Sequence, residues 1–187
     1  MTEIATVTGT TVPERLGRTL MHEHLVIGYP GADTDWIRPG PDRREMFARC
    51  VERIEELKAQ GIGAILDPCP IDLGRDVEFM AEVAQKTDFQ IICATGLYKE
   101  EEGTSAYWKF RGNFGSPAEA MAELFIRELT EGIRGSGVRA GIIKVGTGHQ
   151  TLTPYERWVF EAAALASVET GAPITTHTDG GRFWPGI

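Results

Sequence analysis

TLMHEH, residues 19–24, is the first of five short apolar segments that alternate with helical patterns along the chain. The other four are IGAILDPC (62–69), FQIICATGLY (89–98), AGIIKVGT (140–147) and APITTHT (172–178). They contain isoleucine, valine or leucine, and most are bounded by glycine or proline. Such segments are typical of strands in a parallel sheet that helices cover.

Amphipathic helices are predicted between these segments. The apolar stripes and capping signals place them at 42–60, at 75–87, after SPAE (116–119) and after TPYE (153–156). Near the N-terminus, β-branched residues on both sides of a glycine predict a β-hairpin over residues 4–13.

The order of elements is therefore a hairpin followed by β-α-β-α-β-α-β-α-β, which predicts an α/β fold with right-handed crossovers. The 187 residues fit a single domain, 1–187. Two architectures remain open, an open doubly wound sheet and part of a TIM (β/α)8-type barrel. The first βα junction has no GxGxxG loop, and this weakens a dinucleotide-binding or flavodoxin-like interpretation.

Charge and composition limit the function classes. The net charge is −8 and lysine and arginine form no long run, which argues against nucleic acid or an anionic membrane as partner. No apolar segment approaches the roughly 18 residues of a membrane span, and the first residues lack a signal-peptide pattern. Three widely spaced cysteines, Cys50, Cys69 and Cys93, fit reduced thiols, so we expect a cytoplasmic protein.

Two histidines, His22 and His24, interrupt the first apolar segment. Side chains alternate along a strand, so these two would face one side, with Cα atoms roughly 6.6 Å apart, while Glu23 faces the other. Two imidazoles at that spacing can converge on one metal ion. The competing interpretation is a pair of buried histidines that are each satisfied by a hydrogen bond; the apolar context favours metal.

Lys144 and His177 are further unusual residues in apolar segments. Lys144 could lie at a strand end with its ammonium in water. Alternatively, burial and nearby cations could lower its pKa and leave a neutral amine able to capture CO2 as a carbamate that bridges two metals. His177 shares a strand face with Thr175 and Asp179 at the carboxyl end of the fifth segment, where barrel enzymes carry catalytic groups.

The order and spacing of these residues resemble a known family. The segments TLMHEHL, DPCPIDLGRD, ATGLY, IIKVG and PITTHT resemble the phosphotriesterase family of the amidohydrolase superfamily, which includes the phosphotriesterase-like lactonases. The likeness extends from about residue 4 to about residue 179 and implies a TIM (β/α)8-type barrel with an N-terminal β-hairpin.

The resemblance also implies a binuclear, zinc-dependent hydrolase. His22 and His24 would hold the more buried of two divalent metal ions, most consistent with Zn, and His177 the more exposed one. Carboxylated Lys144 would bridge both metals and act in catalysis. The hydroxide shared by the metals would attack a lactone or ester carbonyl or a phosphotriester phosphorus. Tyr98 would line the pocket for this small-molecule substrate.

Part of the family pattern is missing from the sequence. The family barrel has eight strands and takes a further histidine from strand six and an aspartate from strand eight, whereas this sequence stops after about strand five, with GGRFWPGI (180–187) outside the pattern. We therefore expect weak metal binding, little turnover, and either insolubility or a homo-oligomer that covers the open edges. A truncated, catalytically inactive remnant or assembly module is the alternative function.

Four other features carry weaker expectations. The loop 99–115 would form a wall or lid of the site, or fold over the barrel rim; its aromatic residues are Tyr107, Trp108, Phe110 and Phe114. His149 is expected at the surface or behind the ligands. Arg75 and Asp76 are expected to begin a helix and pair with neighbours. Asp67 ends the second segment without an assigned role.

Overall fold

The computed structural model describes residues 3–38, 40–148 and 151–178. Strands β1 (Ile4–Thr6) and β2 (Gly9–Thr11) form the predicted antiparallel hairpin, and a short helix, α1 (Pro13–Leu16), follows. The Val7 amide donates to the Ile91 carbonyl at 2.9 Å. The hairpin therefore lies at the amino ends of the main strands, opposite the end where the candidate site residues lie.

Five parallel strands form the main sheet in strict sequence order. They are β3 (Arg18–Leu20), β4 (Ile62–Asp67), β5 (Gln90–Leu97), β6 (Ile142–Thr147) and β7 (Ile174–Thr178). In a doubly wound sheet the strand order reverses at a switch point, whereas a barrel adds each strand beside the previous one. The sequential order is that of a barrel truncated after strand five, and it confirms that prediction.

Helices connect the strands. The long ones are α2 (Arg43–Ala59), α3 (Val77–Thr87), α5 (Pro117–Thr130) and α6 (Pro154–Thr170), and a shorter α4 (Ser105–Arg111) precedes α5. Each long helix begins directly after a residue whose side chain caps it, Asp42, Asp76, Ser116 or Thr153. Thr153 and Glu156 form a complete capping box, because each side chain bonds the other's backbone N–H.

The two faces of the sheet bury different residues. Ile65, Cys93, Ile143 and Val145 pack with the helices in the main core. A smaller cluster of buried residues contains Leu16, Ala64, Leu66, Ile92, Ala94 and Ile142. None of these six residues belongs to helices α2 to α6. Side chains alternate along a strand, so Lys144 lies on the Ile142 face, away from the helices.

The two outer strands are paired on one side only. Among the described residues, β3 pairs with β4 alone and β7 with β6 alone. Apolar side chains near the β7 edge are exposed: Val168 is 88% and Leu165 45% accessible on α6, and Ile174 is 40% accessible. In the described part of the chain, no helix combines the length and apolar character needed to cross a membrane.

The three cysteines are free and buried. Burial raises the pKa of Cys69 and of Cys93 from 9.0 to about 12. A rise of this size lowers the thiolate fraction at pH 8 roughly a thousandfold, and the thiolate is the reactive form. We expect a thiol-exchange reagent to label these two thiols about a thousandfold more slowly in the native chain than in urea. Equal rates in both conditions, followed by absorbance, would contradict the buried placement.

Candidate metal centre

His22 and His24 lie just beyond β3. The prediction that both lie within a strand at 19–24 is wrong, because β3 ends at Leu20 and its pairing shifts after Arg18. The chain still runs beside β4, since the Glu23 amide donates to the Leu66 carbonyl at 3.1 Å. The two imidazole centroids lie 5.3 Å apart with the rings nearly perpendicular. Both rings therefore lie at the carboxyl end of the sheet.

Lys144 lies within β6, between β5 and the outer strand β7. It is paired with Gly96 of β5 and Thr175 of β7, and it is 1% exposed. Its Nζ has no hydrogen-bond partner among the described residues. Gly96 has φ +111°, and a Cβ there would lie 1.8 Å from the Lys144 carbonyl oxygen, so the close approach of β5 requires glycine. Burial lowers the pKa of Lys144, which favours the neutral amine.

His177 and Tyr98 lie side by side next to Lys144. His177 is paired with Gly146 of β6, two residues beyond Lys144. The Tyr98 ring lies 5.3 Å from the His177 ring, centroid to centroid, and its edge would lie 3.0 Å from a Cβ at position 146. The Tyr98 amide donates to Asp72 Oδ1 at 2.9 Å, which fixes the start of the loop that follows β5.

Electrostatics link the four predicted ligands. The pKa of His22 is lowered, first by burial and then by electrostatic repulsion from Lys144, His24 and His177. Each basic group thus disfavours protonation of His22, and a neutral imidazole is the form that binds metal. The structure therefore brings His22, His24, Lys144 and His177 together, with Tyr98 at the edge of the cluster.

This donor set fits divalent metal ions. The imidazoles offer neutral nitrogen ligands, and Lys144 Nζ is a buried polar atom without a partner. An unpartnered buried polar group costs free energy, so its retention indicates a partner beyond the residues that the structure describes. A carbamate on Lys144 would also give the cluster an anionic oxygen ligand.

A second group of donors was not anticipated from the sequence. His24 Nδ1, an Asp67 oxygen and Cys69 Sγ all lie within 4.8 Å of one another. The Cys69 thiol donates to the Leu73 carbonyl at 2.9 Å, and burial raises its pKa to about 12, so the thiol is protonated in the metal-free chain. The sequence feature that could have indicated this group was Asp67, a single carboxylate at the end of a buried strand.

The remaining predicted features have mixed outcomes. Asp76 caps α3, and the Arg75 guanidinium binds Glu128, so the expectation for these two residues is confirmed. The loop at 99–115 contains α4 and a 3-10 turn, Gly112–Phe114. Of its aromatic side chains, Trp108 is buried and the others are exposed, namely Tyr107, Phe110 and Phe114. His149 and Asp179 lie outside the described residues.

The chain has the features of the (β/α)-barrel class. Its parallel strands follow one another in sequence order, helices lie outside them, and a polar cluster lies at the carboxyl ends of the strands. Residues 2–184 match the phosphotriesterase family, and the chain belongs to that family.

Known relatives agree with this assignment. A phosphotriesterase homology protein of Mycobacterium tuberculosis is 37% identical over 97% of the chain, and an aryldialkylphosphatase of Saccharolobus solfataricus is 31% identical over 88%. The solved organophosphorus hydrolase of Deinococcus radiodurans superposes with a TM-score of 0.91 at 44% identity over 94% of the chain. The chain spans about half the length of these proteins, 56%, 50% and 53% respectively.

Proposed function

We propose that the chain is the N-terminal portion of a binuclear metal-dependent hydrolase, in which His22, His24, Lys144 and His177 hold the metals. The observation that carries this proposal is the buried Nζ of Lys144, which has no hydrogen-bond partner among the described residues and lowers the pKa of His22 electrostatically. A lysine in that position costs stability unless a further partner occupies the site. Family membership supports the same interpretation.

Lys144 would contribute as a carbamate. Its lowered pKa leaves a lone pair on Nζ, which attacks the carbon of CO2. The new N–C bond forms as one C=O π pair moves to oxygen, and Nζ releases one proton to solvent. The resulting carboxylate-like group is a hard oxygen ligand beside the softer imidazoles of His22, His24 and His177. We propose zinc as the divalent metal. Two such ions, when bound, would supply Lewis acidity and lower the pKa of a water bound to them.

The substrate is proposed to be a small lactone, carboxylic ester or phosphotriester. The names of the relatives support this class, since they include an aryldialkylphosphatase, an organophosphorus hydrolase and a phosphotriesterase-like lactonase. Tyr98 would line the pocket, because its ring lies against His177. The buried free thiols fit a cytoplasmic location, and this too is a proposal.

The test is metal stoichiometry under zinc and bicarbonate. Without the ligands of strands six and eight the binding is expected to be weak, so the ratio is measured at saturating zinc. There we expect about two zinc ions per folded wild-type chain, and a loss of at least one in His22→Asn and in His177→Asn. Glu23→Gln is the matched control, because Glu23 is an exposed residue between the two histidines and should leave the ratio unchanged. Hydrolysis of a lactone and of an aryl phosphotriester is then measured on the loaded chain. A zinc ratio near zero in the wild-type chain would refute the proposal.

A catalytically inactive remnant or assembly module is the second candidate. The observation that favours it is the exposed apolar surface beside β7, together with two outer strands that each pair on one side only within the described residues. A homo-oligomer would cover those edges. Zinc stoichiometry measured together with molecular mass distinguishes the candidates, since an assembly module forms a stable oligomer without metal or turnover.

A further inference from the structure

Asp67 is a buried carboxylate with no cationic side chain as its hydrogen-bond partner among the described residues. It ends β4 and is 0% exposed. Two backbone amides hold it, since Leu25 N donates to Oδ2 and Cys69 N donates to Oδ1, each at 2.9 Å. Its position and orientation are therefore fixed by the backbone on both sides.

His24 brings a buried nitrogen to this carboxylate. The Nδ1 atom of His24 is buried and lies 3.3 Å from Asp67 Oδ1, although the ring is not aligned for a hydrogen bond in this conformation. In the described parts of the chain, His24 Nδ1 has no hydrogen-bond partner, so Asp67 is the acceptor within reach of a small change in the orientation of the ring.

A carboxylate at this distance selects one imidazole tautomer. A neutral imidazole has one N–H and one lone pair, and a carboxylate beside Nδ1 favours the proton on Nδ1. The lone pair is then on Nε2, the nitrogen that remains available to bind a cation. Such partners of a metal-binding histidine also fix the ring orientation and raise its basicity.

We propose that Asp67 is a positioning residue that accepts the Nδ1 proton of His24 and directs its Nε2 lone pair into the metal centre. The proposal rests on the proposed function for its assignment of His24 as a metal ligand. It also accounts for the group formed by His24, Asp67 and Cys69 without a metal ion between them, because the Cys69 thiol donates to the Leu73 carbonyl and both Asp67 oxygens accept backbone amides.

The first measurement is the tautomer of His24 in the metal-free wild-type chain. Long-range ¹H–¹⁵N correlation spectra of ¹⁵N-histidine-labelled protein at pH 8 separate the two tautomers, and His24→Gln assigns the signals. We expect the Nδ1–H form. The Nε2–H form would overturn the proposal, and this outcome requires no variant of Asp67 to fold.

The second measurement uses Asp67→Asn. We expect the His24 signals to move toward the Nε2–H form and the zinc Kd, measured by chelator competition, to rise about 10- to 100-fold. Asp72→Asn is the matched control. Asp72 is also buried and also accepts two backbone amides, from Tyr98 and Thr104, so its loss has a similar structural cost without a histidine contact.

The outcomes separate this proposal from the proposed function. An Asp67→Asn variant with the wild-type tautomer and zinc Kd refutes the positioning role while leaving the metal centre intact. A change of equal size in Asp72→Asn would also refute it, since the effect would then follow from stability alone. A wild-type chain that binds no zinc refutes the proposed function, and the tautomer of His24 still decides whether Asp67 controls the ring.

Discussion

Lys144→Met is expected to abolish binding of the metal pair and, at the same time, to stabilise the metal-free chain by about 1–3 kcal/mol. These opposite effects have one origin. Lys144 is 1% exposed and its Nζ has no hydrogen-bond partner among the described residues, so the folded metal-free chain bears the full cost of burying that amine. Methionine has a similar length and no polar group to bury.

The pH dependence of stability gives a further check on Lys144. Burial lowers its pKa in the folded chain below the ordinary value of 10.5. Between the lowered pKa and 10.5 the unfolded chain binds the additional proton, so the free energy of unfolding rises with pH across that window. Below the lowered pKa the lysine contributes no pH dependence. Lys144→Met should remove the rise, as measured by urea unfolding at a series of pH values without metal.

Lys99→Met is the matched control for Lys144→Met. Lys99 is also buried, at 5% exposed, but its Nζ pairs with Glu102 at 3.0 Å. Its replacement removes a satisfied cation, so stability should fall by up to about 1 kcal/mol and bound zinc should not change. If Lys144→Met instead destabilised the metal-free chain, Lys144 would have a partner there and the argument for the metal centre would fail.

Glu128→Gln is expected to destabilise the fold by about 3–5 kcal/mol. Glu128 accepts from both terminal nitrogens of Arg75 at 2.6 and 2.7 Å, and the two side chains are 5% and 3% exposed. Glu128 also accepts from the Thr95 hydroxyl at 2.7 Å. Loss of its charge leaves the Arg75 guanidinium buried without a counter-ion, between α5 and the carboxyl half of β5.

A second bidentate pair in the same chain provides the control. Arg43 and Glu82 form an equivalent fork at 2.9 and 2.8 Å, but both side chains are about half exposed, at 51% and 50%. Glu82→Gln should lower the free energy of unfolding far less than Glu128→Gln does, because water solvates the remaining Arg43 charge. Equilibrium urea unfolding at pH 7 compares the two variants. Equal losses would show that burial does not govern the Arg75–Glu128 pair.

The local order of the chain could be predicted from its sequence. The apolar segments define where the strands form, and capping residues such as Asp76 and Thr153 define where helices begin. These features depend on residues a few positions apart, and neighbouring residues set backbone preferences directly. The order and spacing of His22, His24, Lys144 and His177, with the segments around them, were sufficient to indicate the family.

Only the tertiary structure decided how far β3 extends and which residues support the site. Three residues of β3 pair with β4, so His22 and His24 lie beyond the strand. Asp67 approaches His24 across 43 positions of sequence, and Arg75 reaches Glu128 across 53. Such contacts depend on how strands and helices pack. The residues adjacent to a carboxylate in the sequence do not indicate which distant side chain it will contact. The sequence by itself determined the family and the order of elements. Packing alone determined that Lys144 is buried without a partner among residues 3–38, 40–148 and 151–178, and that Asp67 lies behind His24.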